Sequence, residues 1–325
     1  MSTTAATIAG PAGPAGPSAA RWWARMARDP LGTYAALDRA YGDAIRLPLS
    51  RRSTLFILSR PEHAEHVLLT HQDNYRRPFT YRPLRAYLGD GLLTAEGEIW
   101  ARHRKLIAPA FAHRSVAGLA PAIADASAHT AAQWGDGETI DLAAQMRALT
   151  LTIAGRALFG TDLTADAPAI SRALMVLQRA VVPASFLPTA RSARATRRVL
   201  DVVPQVRAAA RTLDEVVARI IAERSSLIEH RAHAELPADV LSTMLSADPP
   251  LTQDQWHDEI LTLMLAGHET TAGALTWTLT LLSRFPQVRR RLETEAADNG
   301  GGLDPRALPY ATAVLHESMR LYPPA

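Results

Sequence analysis

Apolar residues along this chain follow two periods, and the change from one to the other comes early. Between residues 43 and 59, two short apolar-rich runs, 44–49 and 54–58, flank the turn-like Ser50-Arg51-Arg52-Ser53 and predict a β-hairpin. Pro48 has no N–H to give to a ladder, which assigns the first strand to a sheet edge. Pro61 suits the first turn of a helix, expected to run to about residue 70. From Thr94 onward the spacing is helical, and helices are expected over 96–108, 115–134, 141–159, 168–182, 200–230, 237–246, 253–284, 286–297 and 309–321. Breaks fall at Gly135-Asp136-Gly137, at 183–188, at Pro249-Pro250 and at Asn299-Gly300-Gly301-Gly302. Residues 1–20 carry a Pro-Ala-Gly repeat that predicts a mobile tail, with order beginning near Arg21-Trp22-Trp23. The expected architecture is mainly α, with a small β element near the N-terminus.

The helix over 253–284 carries the densest chemistry. Thr252 is a plausible N-cap, and at about 1.5 Å per residue the rod is about 48 Å long. Leu261, Leu263, Met264 and Leu265 precede its midpoint, and Leu275, Trp277, Leu279 and Leu281 follow it. Apolar residues nearly all round a helix predict burial. At the midpoint stands Ala266-Gly267-His268-Glu269-Thr270-Thr271-Ala272-Gly273. Two glycines inside a helix each cost about 1 kcal/mol relative to alanine, and a buried carboxylate costs more unless something uses it. Glycine lets another group approach the backbone closely, and a threonine hydroxyl can bond back one turn and locally open the helix. Two readings are open: a packing notch with back-bonded threonines and an ion-paired Glu269, or a functional site. The concentration of costly residues favours the second.

Composition narrows the classes. The chain has 325 residues, 47% hydrophobic and 21% charged, which suits a globular protein and excludes wholesale disorder or a collagen-like repeat. It contains no cysteine, which excludes a disulfide scaffold, a Cys-ligated zinc site and a thiol nucleophile. Lys105 is the sole lysine, and a net charge of +3 is too small to argue for nucleic acid. The most apolar run, 260–283, is interrupted by His268, Glu269, Thr270 and Thr271, so no stretch reads as a membrane span. The N-terminus lacks the basic and apolar regions of a secretory signal, and a cytoplasmic location is expected.

Two further pairs stand out by spacing. Trp100 and Arg104 are four apart on one helical face, and an indole N–H beside a guanidinium fork makes a receptor for carboxylates. The same run, through Arg102 and Lys105, also reads as an ordinary basic amphipathic helix. Glu317 and Arg320, three apart, are neighbours on a helix that Pro323 and Pro324 bring to a stop. Alone, such a pair is usually solvated and worth little. Neither His268-Glu269 nor His316-Glu317 completes a zinc-binding HExxH, because Ala272 and Arg320 stand where a second histidine is needed. The aspartate-rich metal motif of a helical terpenoid cyclase is also not found.

In this order and spacing the three features resemble the cytochrome P-450 family of heme-thiolate monooxygenases, over residues 21–325. Gly91-Leu92-Leu93-Thr94-Ala95-Glu96-Gly97 leading into Trp100 and Arg104 looks like the approach to the family's C-helix. Ala266-Gly267-His268-Glu269-Thr270-Thr271 looks like its I-helix motif, the most specific match. Glu317-Ser318-Met319-Arg320 with Pro323 and Pro324 looks like its K-helix motif. The resemblance implies a cytochrome P-450 fold and dioxygen-dependent hydroxylation of a lipophilic small molecule. Trp100 and Arg104 would bind heme propionates, and Ala266 and Gly267 would lie over the distal heme face. Thr270 would hydrogen-bond the dioxygen, and Glu269 would help relay protons to it. Glu317 and Arg320 would be structural. Electrons would come from NAD(P)H through a ferredoxin- or flavodoxin-like donor, docked near Arg102, Arg104 and Lys105. The substrate pocket would be roofed around 168–228, with Phe186 and Leu187 near a lid and Phe79, Tyr81 and Tyr87 in another wall.

One departure matters. The family's cysteine-bearing loop should follow the K-helix, yet the sequence stops at Ala325 without a cysteine, so no metal ligand can be named. Two readings follow: a working monooxygenase cut short before its ligand loop, inactive in this form, or a non-catalytic helical remnant or binding module. The abrupt stop after Pro324 favours the first.

Overall fold

The predicted hairpin forms. β1 (Ala44–Ser50) and β2 (Ser53–Leu58) pair antiparallel in a two-stranded sheet, with Ile45 opposite Ile57, Leu47 opposite Leu55 and a bulge between Pro48 and Ser50. They belong to a computed structural model that describes residues 10–50, 53–184, 192–230, 239–245, 247, 250–300 and 305–324. The chain divides into two compact units, Met1–Arg76 and Arg77–Ala325.

In the first unit, α1 (Pro17–Arg28) and α2 (Pro30–Tyr41) precede the hairpin, and α3 (Pro61–Glu65) follows it. Order begins ahead of Arg21, the onset that the composition predicts. α1 starts at Pro17, and Ala12 bridges Ile45 in parallel while its carbonyl accepts the Arg46 N–H at 2.8 Å. A Cβ on Gly13 would lie 1.8 Å from the Arg46 carbonyl oxygen, so glycine is what lets this segment come so close. Ala19, Leu37, Ile45 and Leu47 form the small core, with Trp22, Trp23 and Leu55 packed against it. The helix expected from Pro61 to about residue 70 is α for one turn only, then widens into a π turn over His66–Thr70.

The second unit is helical among its described residues: α4 (Arg82–Leu88), α5 (Gly97–Ile107), α6 (His113–Ala117), α7 (Ala120–Ala132), α8 (Leu142–Phe159), α9 (Ala167–Ala184), α10 (Ala193–Leu200), α11 (Pro204–His230), α12 (Val240–Leu245), α13 (Gln253–Arg284), α14 (Pro286–Asp298) and α15 (Pro309–Leu321). One expected helix is split in two and another starts late. The span 115–134 divides because Pro121 opens a new helix, while the helix expected over 200–230 begins at Pro204, behind a separate helix, α10, that the spacing does not predict. α8, α9, α11 and α13 enclose the main core, where Leu151, Phe159, Ile170, Leu213, Ile220, Ile260 and Met264 are buried.

One buried cation ties three elements together. Arg224 of α11 lies 2.8 Å from Asp239, donates from Nη1 to Ser242 Oγ of α12 at 2.6 Å, and from Nη2 to the Phe159 carbonyl closing α8 at 2.6 Å. Gly160 next to it adopts φ of 59°, and a Cβ there would meet the guanidinium at 2.4 Å.

Candidate functional site

α13 opens with a capping box: Gln255 N–H donates to Thr252 Oγ1 at 3.2 Å, and Thr252 N–H donates to Gln255 Oε1 at 3.0 Å. Such a cap is worth about 1 kcal/mol. At about 100° per residue, Glu259, Ala266, Thr270, Gly273 and Trp277 fall on one stripe about 60° wide. The stripe begins buried, since Glu259 is fully covered, and then opens: Ala266 is exposed, Thr270 is half-buried and Trp277 is 42% exposed. The helix is therefore not buried all round, as its composition suggested. α8 and α11 cover other faces, whereas this one is met near its far end by the segment after α15. Tyr322 stacks on Trp277 at 3.9 Å between centroids and 7° between planes. A Cβ on Gly273 would find its nearest neighbour at 4.0 Å, in Pro324. Between Glu259 and Gly273 lie about 21 Å of helix, floored by small side chains.

The central motif points in three directions. Thr270 Oγ1 donates to the Ala266 carbonyl at 2.6 Å, joining the two residues of the open stripe. Thr276, Thr278 and Thr280 make the same back-bond at 2.7 Å, and the helix runs unbroken through all of them. The local opening expected at the threonines does not form. Gly267 turns toward α8, where an added Cβ would lie 3.3 Å from that of Ala154; of the two small residues assigned to the open face, Ala266 is the one that stands on it. His268 is buried, with Nε2 2.9 Å from Ser171 Oγ of α9 and its carbonyl accepting from Thr150 Oγ1 at 2.8 Å. Burial, helped by the positive charge of Arg147, holds its imidazole down at about 4, so it is neutral at physiological pH. Glu269 is held by an amide: Gln178 Nε2 of α9 donates to its carboxylate.

α5 carries Trp100, half-buried, and Arg104, exposed, on one face. A turn that rests on α13 delivers the chain to this helix. The Asp90 N–H donates to Asp258 Oδ2 at 2.7 Å, and a Cβ on Gly91 would strike Thr262 Oγ1 at 2.1 Å. Arg77 holds the turn from outside, donating to the Ala95 and Leu92 carbonyls. Midway along α5, His103 Nδ1 and Glu259 Oε1 share a hydrogen bond of 2.6 Å, both side chains fully buried. Burial pushes the Glu259 carboxyl up, against the Leu92 amide and His103.

On α15, Glu317 and Arg320 form a two-pronged pair: Nε and Nη2 each donate to a carboxylate oxygen at 2.7 Å. The bond to Arg320 lowers the Glu317 carboxyl, and Arg320 is raised in turn. Both groups are exposed.

A sequence model of one family, cytochrome P450, matches residues 20–325. The chain belongs to the cytochrome P450 family. Cyclooctatin synthase of Streptomyces melanosporofaciens is 32% identical to it over 319 residues, covering 92% of this chain and 66% of that protein. Protein LUTEIN DEFICIENT 5, chloroplastic, of Arabidopsis thaliana is 30% identical over 304 residues, 87% of this chain and 51% of its own length. The putative cytochrome P450 132 of Mycobacterium bovis is 32% identical over 280 residues, 82% and 60% respectively. The chain thus spans about half to two thirds of these curated relatives.

As a cytochrome P450, the chain is expected to meet a heme, and the open stripe tests the fit. Ala266, Thr270 and Gly273 leave a flat, small-sided floor, and the helix carrying Trp100 and Arg104 is bonded to the buried end of the same stripe. Small side chains there would leave room for one face of a porphyrin, and an indole N–H beside a guanidinium is a donor set that would suit its carboxylates. An axial thiolate is not among the 325 residues, which contain no cysteine. No single helix among the described residues is long and apolar enough to cross a membrane.

Of the expected pocket walls, Phe79 and Tyr81 are partly exposed, but Tyr87 lies buried under α10, its hydroxyl donating to Asp201 at 3.1 Å and Arg197 over its ring. Burial raises that phenol first, the Asp201 charge second. Phe186 and Leu187 lie outside the described residues. Sequence reasoning missed His103, Glu259 and Gln178. Glu259 carries a signal, standing seven residues before Ala266 on the same stripe. His103 and Gln178 carry none, since their partners are distant in sequence.

Proposed function

We propose that this cytochrome P450 chain serves a heme-dependent monooxygenase that hydroxylates a lipophilic small molecule. The observation that carries the reading is the open Ala266–Thr270 floor on α13, the helix to which α5, with Trp100 and Arg104, is bonded at Glu259. Heme bound there supplies the redox chemistry of dioxygen. The protein's part is to bind, orient and hand over protons. Trp100 Nε1–H and the Arg104 guanidinium bind the cofactor's carboxylates as charge-assisted donors. Ala266 leaves room above the floor. Thr270 keeps its Oγ1 lone pairs free while its proton satisfies the Ala266 carbonyl, so the hydroxyl can take one proton as it gives another. Glu269 relays protons toward it on leaving the Gln178 amide. Glu317 and Arg320 brace the helix in a structural role.

A lipophilic substrate agrees with the name of one further relative, the cyclooctat-9-en-7-ol 5-monooxygenase of Streptomyces melanosporofaciens, 30% identical over 319 residues. That name describes an unsaturated alcohol. Electrons from NAD(P)H would arrive through a ferredoxin- or flavodoxin-like donor whose acidic face meets α5 at Lys105, which is exposed. The test takes the protein as its host makes it, supplied with NADPH, such a donor and 18O-labelled dioxygen. The expected result is one labelled oxygen in a hydroxylated product, and peroxide release at the expense of product in Thr270→Ala. A protein that holds no porphyrin, or a Thr270→Ala variant that stays fully coupled, would overturn the assignment or the role of Thr270 respectively.

A further inference from the structure

Taking two ionisable side chains out of water is costly, and an apolar pair of similar volume often does as well or better. His103 and Glu259 nevertheless pair at 2.6 Å with neither side chain exposed at all. Their second polar atoms, His103 Nε2 and Glu259 Oε2, have no hydrogen-bond partner among the described residues, nor has the neighbouring Thr262 Oγ1. Stability alone is a poor reason for such a pair. Placement is a better one. Glu259 stands two turns before Ala266, about 10.5 Å along the axis and rotated by only about 20°. His103 is one residue before Arg104 and three after Trp100. A single bond therefore joins the helix of the carboxylate receptor to the stripe that becomes the open floor. Apolar contact is non-directional and leaves a helix free to roll or slide. A hydrogen bond between fixed atoms does not.

We propose that His103 and Glu259 are positioning residues: their buried bond sets the roll and register of α5 on α13, and so holds Trp100 and Arg104 at the border of the Ala266–Thr270 floor. The proposal rests on the heme-binding reading above and concerns how the receptor is aimed. The turn at Asp90, bonded to Asp258, fixes where α5 begins; His103 fixes how its middle is turned.

The experiment uses the full chain and two probes, iron protoporphyrin IX and its dimethyl ester, which lacks free carboxylates. The informative variant is the double replacement His103→Leu with Glu259→Leu, which removes both buried ionisable groups together, so that neither is left unpaired and only the Leu92 amide loses its acceptor. Glu259→Gln, which keeps an acceptor for His103, is the conservative control, and Arg104→Ala sets the scale. The unmodified chain is expected to prefer the free acid, and Arg104→Ala to lose about tenfold of that preference. The double variant should lose as much while binding the ester unchanged, with the indole N–H resonance of Trp100 displaced. Glu259→Gln should restore both. A folded double variant that keeps the preference or the Trp100 resonance overturns the proposal and leaves the pair a structural one. If the unmodified chain shows no preference for the acid, the receptor reading falls instead, and the Trp100 resonance alone decides the positioning role.

Discussion

His257 makes the stability of this fold depend on pH in a direction that can be worked out. Its ring bridges two helices: Nε2 is 3.0 Å from Asp214 Oδ1 of α11, and Nδ1 is 3.5 Å from Asp258 Oδ1 of α13. The bond to Asp214 first, then that to Asp258, raises the imidazole from 6.5 to about 9, burial opposing. A group raised in the folded state stabilises it fully below the unfolded value and loses that contribution as pH climbs through the folded one. The window here runs from about pH 6.5 to above 9. At about 1.36 kcal/mol per pH unit the interval corresponds to about 3.4 kcal/mol as a ceiling. The ring is 28% exposed and Asp214 42%, so solvent screening reduces this to about 1–2 kcal/mol. Urea unfolding at pH 6 and pH 10 should show the unmodified protein losing that much more than His257→Gln. Curves for the two proteins that fall in parallel across the window would refute the reasoning.

Other substitutions follow from the geometry. Arg224→Met leaves Asp239 buried without its cation and should cost about 3–5 kcal/mol, read by chemical denaturation. Gly13→Ala cannot keep the approach to Arg46, so the Arg46 amide should exchange with solvent at least about tenfold faster, a change of about 1.4 kcal/mol in its protection. Thr252→Ala removes half of the capping box of α13 and should lower stability by about 1 kcal/mol, read as a shift in the urea midpoint. Thr270→Val should leave the same midpoint within about 0.5 kcal/mol, because the back-bond it loses is one that other threonines make along an unbroken helix.

Much of the fold is legible where a local signal marks both ends of an element. α13 and α15 have the ranges expected because Thr252 caps one and prolines bound the other. Periodicity does not predict α1, α2, α4 and α10; the first three carry proline in the first turn, at Pro17, Pro30 and Pro83, the same signal that marks Pro61. The site is legible to the same extent. Ala266 and Thr270 announce themselves by spacing along α13, and Trp100 and Arg104 by spacing along α5. Which way each residue faces is a tertiary matter, and so spacing does not reveal Gly267 against Ala154, or Glu269 held by Gln178. The His103–Glu259 bond spans 156 positions, and no local pattern could pair them.

The stripe on α13 also turns helix length into a phase. Inserting one residue between Glu259 and Ala266 would leave every side chain present and every hydrogen bond of the helix intact, yet swing the floor about 100° away from its anchor. Three or four inserted residues would bring the two back within about 60° or 40°, and seven within about 20°, at the cost of added length. Surface loops of this protein can change length without a comparable penalty. Along α13, between the residue that anchors α5 and the residues of the open floor, the chain has to count.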